Sequence, residues 1–268
     1  ISDIFYVVVF LSIIGSMACV LLLFIERVTR LCLPLKVYMS IIFFYVFPVT
    51  IPDAALFYHE PMRMETFKTA ALVWIIGLGV LAVFMISRIF FVHRMVNKFT
   101  ACTAENVLVA YDECLRKLNL RRAPPLMFGM LKEPACVITT WRSYVVLQEE
   151  IIRDLTDDEL KAVLVHELLH IKRKHGVLQR VFDLVCCVHW FNPLIWVGRR
   201  GFSSACEIDC DRSVLKVFDG NLQAAVYAKV MVRLMELTVA KKKSLHGTLG
   251  ALDFWIAKHR ITNLLNKP

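Results

Sequence analysis

Residues 4–25 form an unbroken uncharged run of 22 positions, and as a helix such a run rises about 33 Å, enough to cross a bilayer. In hydrocarbon every backbone N–H and C=O must be bonded within the segment, so this stretch requires both a helix and a membrane around it. It is too long for the apolar region of a simple signal peptide, lacks a basic leader, and is not followed by a small-residue cleavage site with a polar mature region. Residue 1 is Ile rather than Met, so the chain reads as short of its first residues.

Two further apolar stretches follow. Residues 37–52 are uncharged for 16 positions but contain Pro48, so a second span at about 36–57 needs its flanks. Residues 69–87 give 19 uncharged positions and a third span at about 69–92. Gly77 and Gly79 allow close helix approach there, the expectation behind a homodimer. Composition agrees with a membrane protein, at 57% hydrophobic residues and a positive mean hydropathy.

Loop charge sets the orientation. Glu26, Arg27, Arg30 and Lys36 carry a net +2, whereas Asp53, Glu60, Arg63, Glu65 and Lys68 carry −1. The positive-inside rule places the first loop and everything after the third span in the cytoplasm, with the amino terminus outside. The net charge of +9 follows from this bias and from contact with anionic membrane lipid. No nucleic-acid module is recognisable, so direct nucleic-acid binding is not expected. The nine cysteines are scattered over membrane and cytoplasmic segments and read as reduced thiols.

The chemistry lies in His166-Glu167-Leu168-Leu169-His170. Two histidines four residues apart share one helix face about 6 Å apart along the axis, so both imidazoles can reach one metal ion. Glu167 beside them can accept a proton from water held by that ion. Zinc suits the pattern, because three protein ligands leave a fourth position open where the pKa of water falls to about 7. The plain alternative is a helix whose histidines only hydrogen-bond in a core.

Thr156 and Glu159 read as a capping box, starting a helix over 157–173. Leu160, Val163, Leu164 and Leu168 form its buried stripe. Downstream, Glu207 and Asp211 repeat the four-residue spacing in a segment also readable as helix. Glu207 can supply the third zinc ligand, while Asp211 orients a ligating histidine. Cys206 and Cys210 share that spacing, but a site of two histidines and a carboxylate needs no thiolate.

Around the motif, residues 107–118 predict an amphipathic helix, and 126–128, 135–139 and 144–147 predict short strands. Residues 184–198 are again uncharged. A single crossing there would separate His170 from Glu207 by roughly 30 Å of hydrocarbon, which a shared ion forbids. The segment 181–198 is therefore expected as a helix broken near Pro193, interfacial or re-entrant, with Trp190 and Trp196 at the interface. Residues 214–218 and 224–239 predict further helix, 244–250 a loop, and 260–265 a terminal helix.

The sequence resembles the membrane metallopeptidases of the beta-lactam-sensor type, the receptors that regulate penicillinase and methicillin resistance in bacteria. The resemblance rests on the apolar segments, Phe128-Gly129-Met130-Leu131-Lys132, the run from His166 through Arg173, Trp190-Phe191-Asn192-Pro193-Leu194, Glu207 with Asp211, and Arg260-Ile261 with Leu264-Leu265-Asn266. An aspartate usually follows the helix motif in that family; Lys174-His175 stands here, a departure that touches the ligands' surroundings rather than the ligands. A more distant likeness is to the heat-shock membrane protease and CaaX prenyl endopeptidase family, which shares the Glu-x-x-x-Asp pattern.

The resemblance implies a sheet edge beside the motif helix, with Ile138, Thr139, Val145 and Val146 receiving substrate as an added strand. It also implies a protein or peptide substrate such as a transcriptional repressor. No penicillin-binding sensor is expected, because the chain ends near residue 268, so beta-lactam sensing does not come with the resemblance.

The expected fold is an α-helical membrane protein with an α+β cytoplasmic zinc-protease domain: three transmembrane helices within residues 1–96, then a gluzincin-like domain with a small sheet over 97–268. Its location is the inner or plasma membrane of a bacterial cell. One Zn2+ is expected on His166, His170 and Glu207, with Glu167 as catalytic base. Two rivals are a signalling membrane protein whose zinc is structural and a protease whose site is buried in lipid.

Overall fold

The computed structural model of the chain describes residues 2–29, 34–46, 61–130, 133–218, 224–244, 260–262 and 264. In order the elements are α1 (Ser2–Thr29), α2 (Leu35–Val46), α3 (Pro61–Val96), β1 (Thr100–Ala101), α4 (Glu105–Lys117), β2 (Leu126–Phe128), β3 (Ala135–Thr139), β4 (Ser143–Leu147), α5 (Glu149–Ile152), α6 (Asp157–Lys172), α7 (His175–Val188), α8 (Pro193–Val217) and α9 (Ala224–Ser244). They divide into two compact units, Ile1–Phe90 with Leu178–Ala205, and Phe91–Val177 with Cys206–Pro268.

In the first unit, two stretches are long and apolar enough to cross a membrane, Ile4–Glu26 of α1 and Lys68–Val96 of α3. Their outward surface is apolar: Val80 is 64% exposed, Val83 68% and Phe84 62%, an arrangement that fits lipid better than water. Of the second expected span, at about 36–57, the described part is the 12 residues of α2, which rise about 18 Å. Residues 47–57 of that expected span lie outside the described residues, as does the expected loop beyond Ser244.

Residues 178–205 belong to the same unit as the apolar helices. The chain breaks between α7 and α8, where Asn192 Oδ1 accepts from the Leu194 backbone N–H at 3.0 Å and Pro193 occupies the first helical turn, where its missing N–H costs nothing. The Asn192 amide donates to Ser12 Oγ at 2.7 Å and Ser16 Oγ at 2.6 Å on α1. The His189 ring stacks edge-on against Tyr45 of α2, centroids 4.9 Å apart. Trp74 of α3 donates to the carbonyl of Val188 at 2.8 Å, satisfying an orphan at the end of α7. Gly77 lets Trp190 lie against α3, since a Cβ there would stand 2.5 Å from the indole. That glycine thus serves a contact within the chain, whereas Gly79 has open space around it.

The second unit is a four-stranded sheet in the order β1-β2-β4-β3 with helices packed on it. β2 and β4 run parallel, and β3 and β4 form an antiparallel hairpin, pairing Cys136 with Val146 and Ile138 with Tyr144. The sequence reading anticipates β2 to β4 and misses only the two-residue β1, too short to carry an alternating pattern. Leu164 and Leu168 of α6 are fully buried, in one core with Tyr111 and Cys114 of α4 and Val145 and Leu147 of β4.

The start of α6 is fixed by its cap. Thr156 Oγ1 accepts from the Glu159 N–H at 3.4 Å, and the Thr156 N–H donates to Glu159 Oε2 at 2.9 Å, satisfying orphan donors in both directions. Arg233 of α9 donates to both Glu159 carboxylate oxygens at 2.8 Å, tying the two helices together.

Candidate active site

Three side chains converge from α6 and α8. His166 Nε2 and His170 Nε2 lie 3.1 Å apart. Glu207 sits across them, with Oε2 at 3.3 Å from His166 Nε2 and Oε1 at 3.4 Å from His170 Nε2. Ligands at about 2.0–2.2 Å from a tetrahedral ion stand roughly 3.3 Å from one another, so these spacings suit one metal ion. The donor set, two imidazole nitrogens and a carboxylate oxygen, fits zinc.

A second ring of contacts orients this set. His166 Nδ1 stands 3.1 Å from Asp211 Oδ1, so its Nδ1–H donates there and Nε2 faces the site, its lone pair free for a metal once the Nε2 proton leaves. Asp211 also accepts from the Tyr227 hydroxyl at 3.0 Å and from Arg260 Nε and Nη2 at 2.8 Å. Arg260 Nη1 reaches Glu207 Oε2 at 3.1 Å. The arginine therefore braces both carboxylates, and a buried carboxylate so paired stays ionised.

Charge follows this geometry. Burial opposes ionisation of Glu207, but the Arg260 and imidazole charges outweigh it and hold the carboxyl down at about 2. Asp211 is likewise held below the usual carboxylate range, Arg260 overcoming its burial. Burial also opposes charge on His166, yet its hydrogen bonds to Asp211 and Glu207 win and push it up to about 10. His170 is driven down to about 3, chiefly by burial. Glu167 is only 8% exposed, and burial pushes its carboxyl up to about 7, where it can both accept and release a proton near neutrality.

The sequence-predicted residues are thus distributed unevenly. His166, His170, Glu207 and Asp211 come together, with Glu167 the next residue along α6. The four residues expected to receive substrate separate. Val145 and Val146 lie on β4, which is paired on both sides and fully buried at those positions, so their backbone offers no free edge. Ile138 and Thr139 lie on the edge strand β3. The expectation for Val145 and Val146 is corrected accordingly: an apolar strand reads alike from sequence whether it is an edge or an interior strand.

Sequence reasoning misses Tyr227, which gives no signal beyond helical periodicity. It registers Arg260 and His175 only as points of likeness and departure. The pair Cys206 and Cys210 is fully buried and, like every cysteine among the described residues, free.

A family model described as BlaR1 peptidase M56 matches residues 46–264. The regulatory protein BlaR1 of Bacillus licheniformis is 26% identical over 204 residues, covering 72% of this chain and 32% of that protein. The methicillin resistance mecR1 protein of Staphylococcus aureus strain Mu50 is 27% identical over 95 residues, covering 35% of this chain and 14% of that protein. BlaR1 of Staphylococcus aureus is 21% identical over 129 residues, 47% of this chain and 22% of that protein. The chain therefore spans about a third or less of the length of these relatives. The family match runs from the end of α2 to the terminal residues packed on Asp211, taking in every residue of the cluster above, and the chain belongs to the BlaR1 peptidase M56 family.

Proposed function

We propose that this chain is a membrane-embedded zinc-dependent endopeptidase that cuts a cytoplasmic regulatory protein during signal transduction. The observation that carries the reading is the convergence of the His166, His170 and Glu207 ligand atoms within 4.8 Å of one another, with Glu167 alongside. The relatives' description as regulatory and resistance proteins supports a transcriptional repressor as the substrate class. The apolar surfaces of α1 and α3 support a multi-pass chain in a bacterial plasma membrane, and the loop-charge bias supports contact with anionic lipid and a protease unit in the cytoplasm. The open side of Gly79 leaves room for a homodimer contact.

His166, His170 and Glu207 would hold the ion. Zinc, when bound, supplies a Lewis acid that polarises the scissile carbonyl and acidifies water. Asp211 keeps His166 in the tautomer that presents Nε2, and Arg260 holds Asp211 and Glu207 as anions. Glu167 takes the proton of the attacking water and passes it to the leaving amine, for which a pKa near neutrality suits it. The edge of β3, at Ile138 and Thr139, receives the substrate backbone as an added strand. If zinc were only structural, Glu167 would be a buried carboxyl without a task.

Changing Glu167 to Gln keeps the volume and removes the base. The expected result is unchanged zinc content with cleavage of a candidate repressor reduced at least about a hundredfold. Turnover near the parent level in that variant would refute the assigned role.

A further inference from the structure

His175 is an unexpected residue to find buried. It is 1% exposed, and its Nε2 is buried without a hydrogen-bond partner. Such burial of an unsatisfied ring nitrogen costs free energy, so the ring must be held by what its other nitrogen does. His175 Nδ1 lies 3.1 Å from Nδ1 of His170, and the two rings meet edge-on with centroids 5.0 Å apart and planes at 77°. The backbone is bent to produce this contact. Lys174 adopts a left-handed conformation, φ 58°, unfavourable for a residue with a Cβ, and it stands between the end of α6 at Lys172 and the start of α7 at His175.

Protonation logic then fixes the direction of the bond. His170 Nε2 faces Glu207 and His166, so a neutral His170 that gives this lone pair to a metal carries its hydrogen on Nδ1. That N–H points at His175 Nδ1, which must accept. The hydrogen of His175 therefore sits on Nε2, 4.0 Å from Asp209 Oδ2, a carboxylate paired with Arg173.

We propose that His175 is a positioning residue for the metal site: it accepts the Nδ1–H of His170 and holds that imidazole with Nε2 aimed at the ion, as Asp211 does for His166. The inference rests on the metal-site reading given above. Each ligating histidine then has its own acceptor, a carboxylate for one and a neutral imidazole for the other.

A competing use of the same residues is a second metal site, because His170, His175 and Cys210 also bring ligand atoms within 4.8 Å of one another and Cys210 Sγ is 3.6 Å from His175 Nδ1. It would require His170 to give both nitrogens to metals and so lose its remaining ring proton. The acceptor role needs no such loss.

Geometry supplies the test. In Asn, Oδ1 is bonded to Cγ just as Nδ1 is in His, so His175→Asn keeps a neutral acceptor at nearly the same point, whereas His175→Leu fills the space without one. The full chain is purified in detergent with each substitution, loaded with zinc, and followed for zinc content and for the rate of zinc release to a chromogenic chelator. Thermal unfolding of the metal-free forms reports separately on folding. The expected result is zinc release about 10–100-fold faster in His175→Leu, with His175→Asn close to the parent and the metal-free forms unfolding alike. Equal release rates in the parent and His175→Leu would overturn the proposal. So would a thiolate-to-metal charge-transfer band in the cobalt-substituted parent, which would make Cys210 a ligand. A parent that binds no zinc at all would instead overturn the metal-site reading beneath it.

Discussion

At the residue scale, the three groups closest to the ion position carry different protonation states before any metal arrives. His166 is held charged, up to about 10, while His170 is kept neutral, down to about 3, and Glu207 is ionised above about 2. Metal and proton compete for His166 Nε2, because a raised pKa means that the folded, metal-free chain retains this proton below about 10. Zinc binding between these limits therefore releases about one proton, and affinity is expected to fall roughly tenfold for each unit the pH is lowered. Calorimetry in buffers of different ionisation enthalpy measures the proton count directly. A pH-independent affinity across neutrality would mean that Asp211 does not hold His166 in the charged form. In catalysis, Glu167 must be ionised to act as a base, so the acid limb of the cleavage profile belongs near or below its value of about 7, a divalent cation alongside favouring the anion.

At the element scale, the site depends on α6 starting and packing correctly. Leu168, next to the base, is fully buried in the core shared with α4 and the sheet. Leu168→Ala is expected to destabilise the fold by about 3 kcal/mol and Thr156→Ala, at the cap, by about 1 kcal/mol, read as ordered drops in thermal unfolding temperature. Equal effects would contradict the packing described here. This helix is the most readable part of the sequence because everything that defines it is local: the capping box spans four residues, and the ligand pair spans five. The strands are also readable in place, but their order is not, since the crossover that puts β4 between β2 and β3 leaves no mark on the alternating pattern. The supports of the site are the least readable. Arg260 is 49 positions from Asp211 and Tyr227 is 61 from His166, and neither position differs in pattern from an ordinary helical residue. His175 is near in sequence, yet its contact depends on the left-handed turn at Lys174, which the lysine itself does not announce.

At the scale of the whole molecule, the chain combines two surfaces of opposite character. The unit containing α1 and α3 turns apolar side chains outward, while the other encloses an apolar core around a charged, braced cluster. Helix α8 contributes residues to both, from the Asn192–Pro193 break at its start to Glu207 and Asp211 further along. The claim on which the rest depends is that one metal ion is held by three side chains from two helices. X-ray absorption at the zinc edge, recorded on the purified full chain together with the zinc content, tests it most directly. The predicted result is one zinc per chain with two imidazole ligands, oxygen in the remaining positions and no sulfur; a chain that retains no zinc, or a zinc shell containing sulfur, would contradict it.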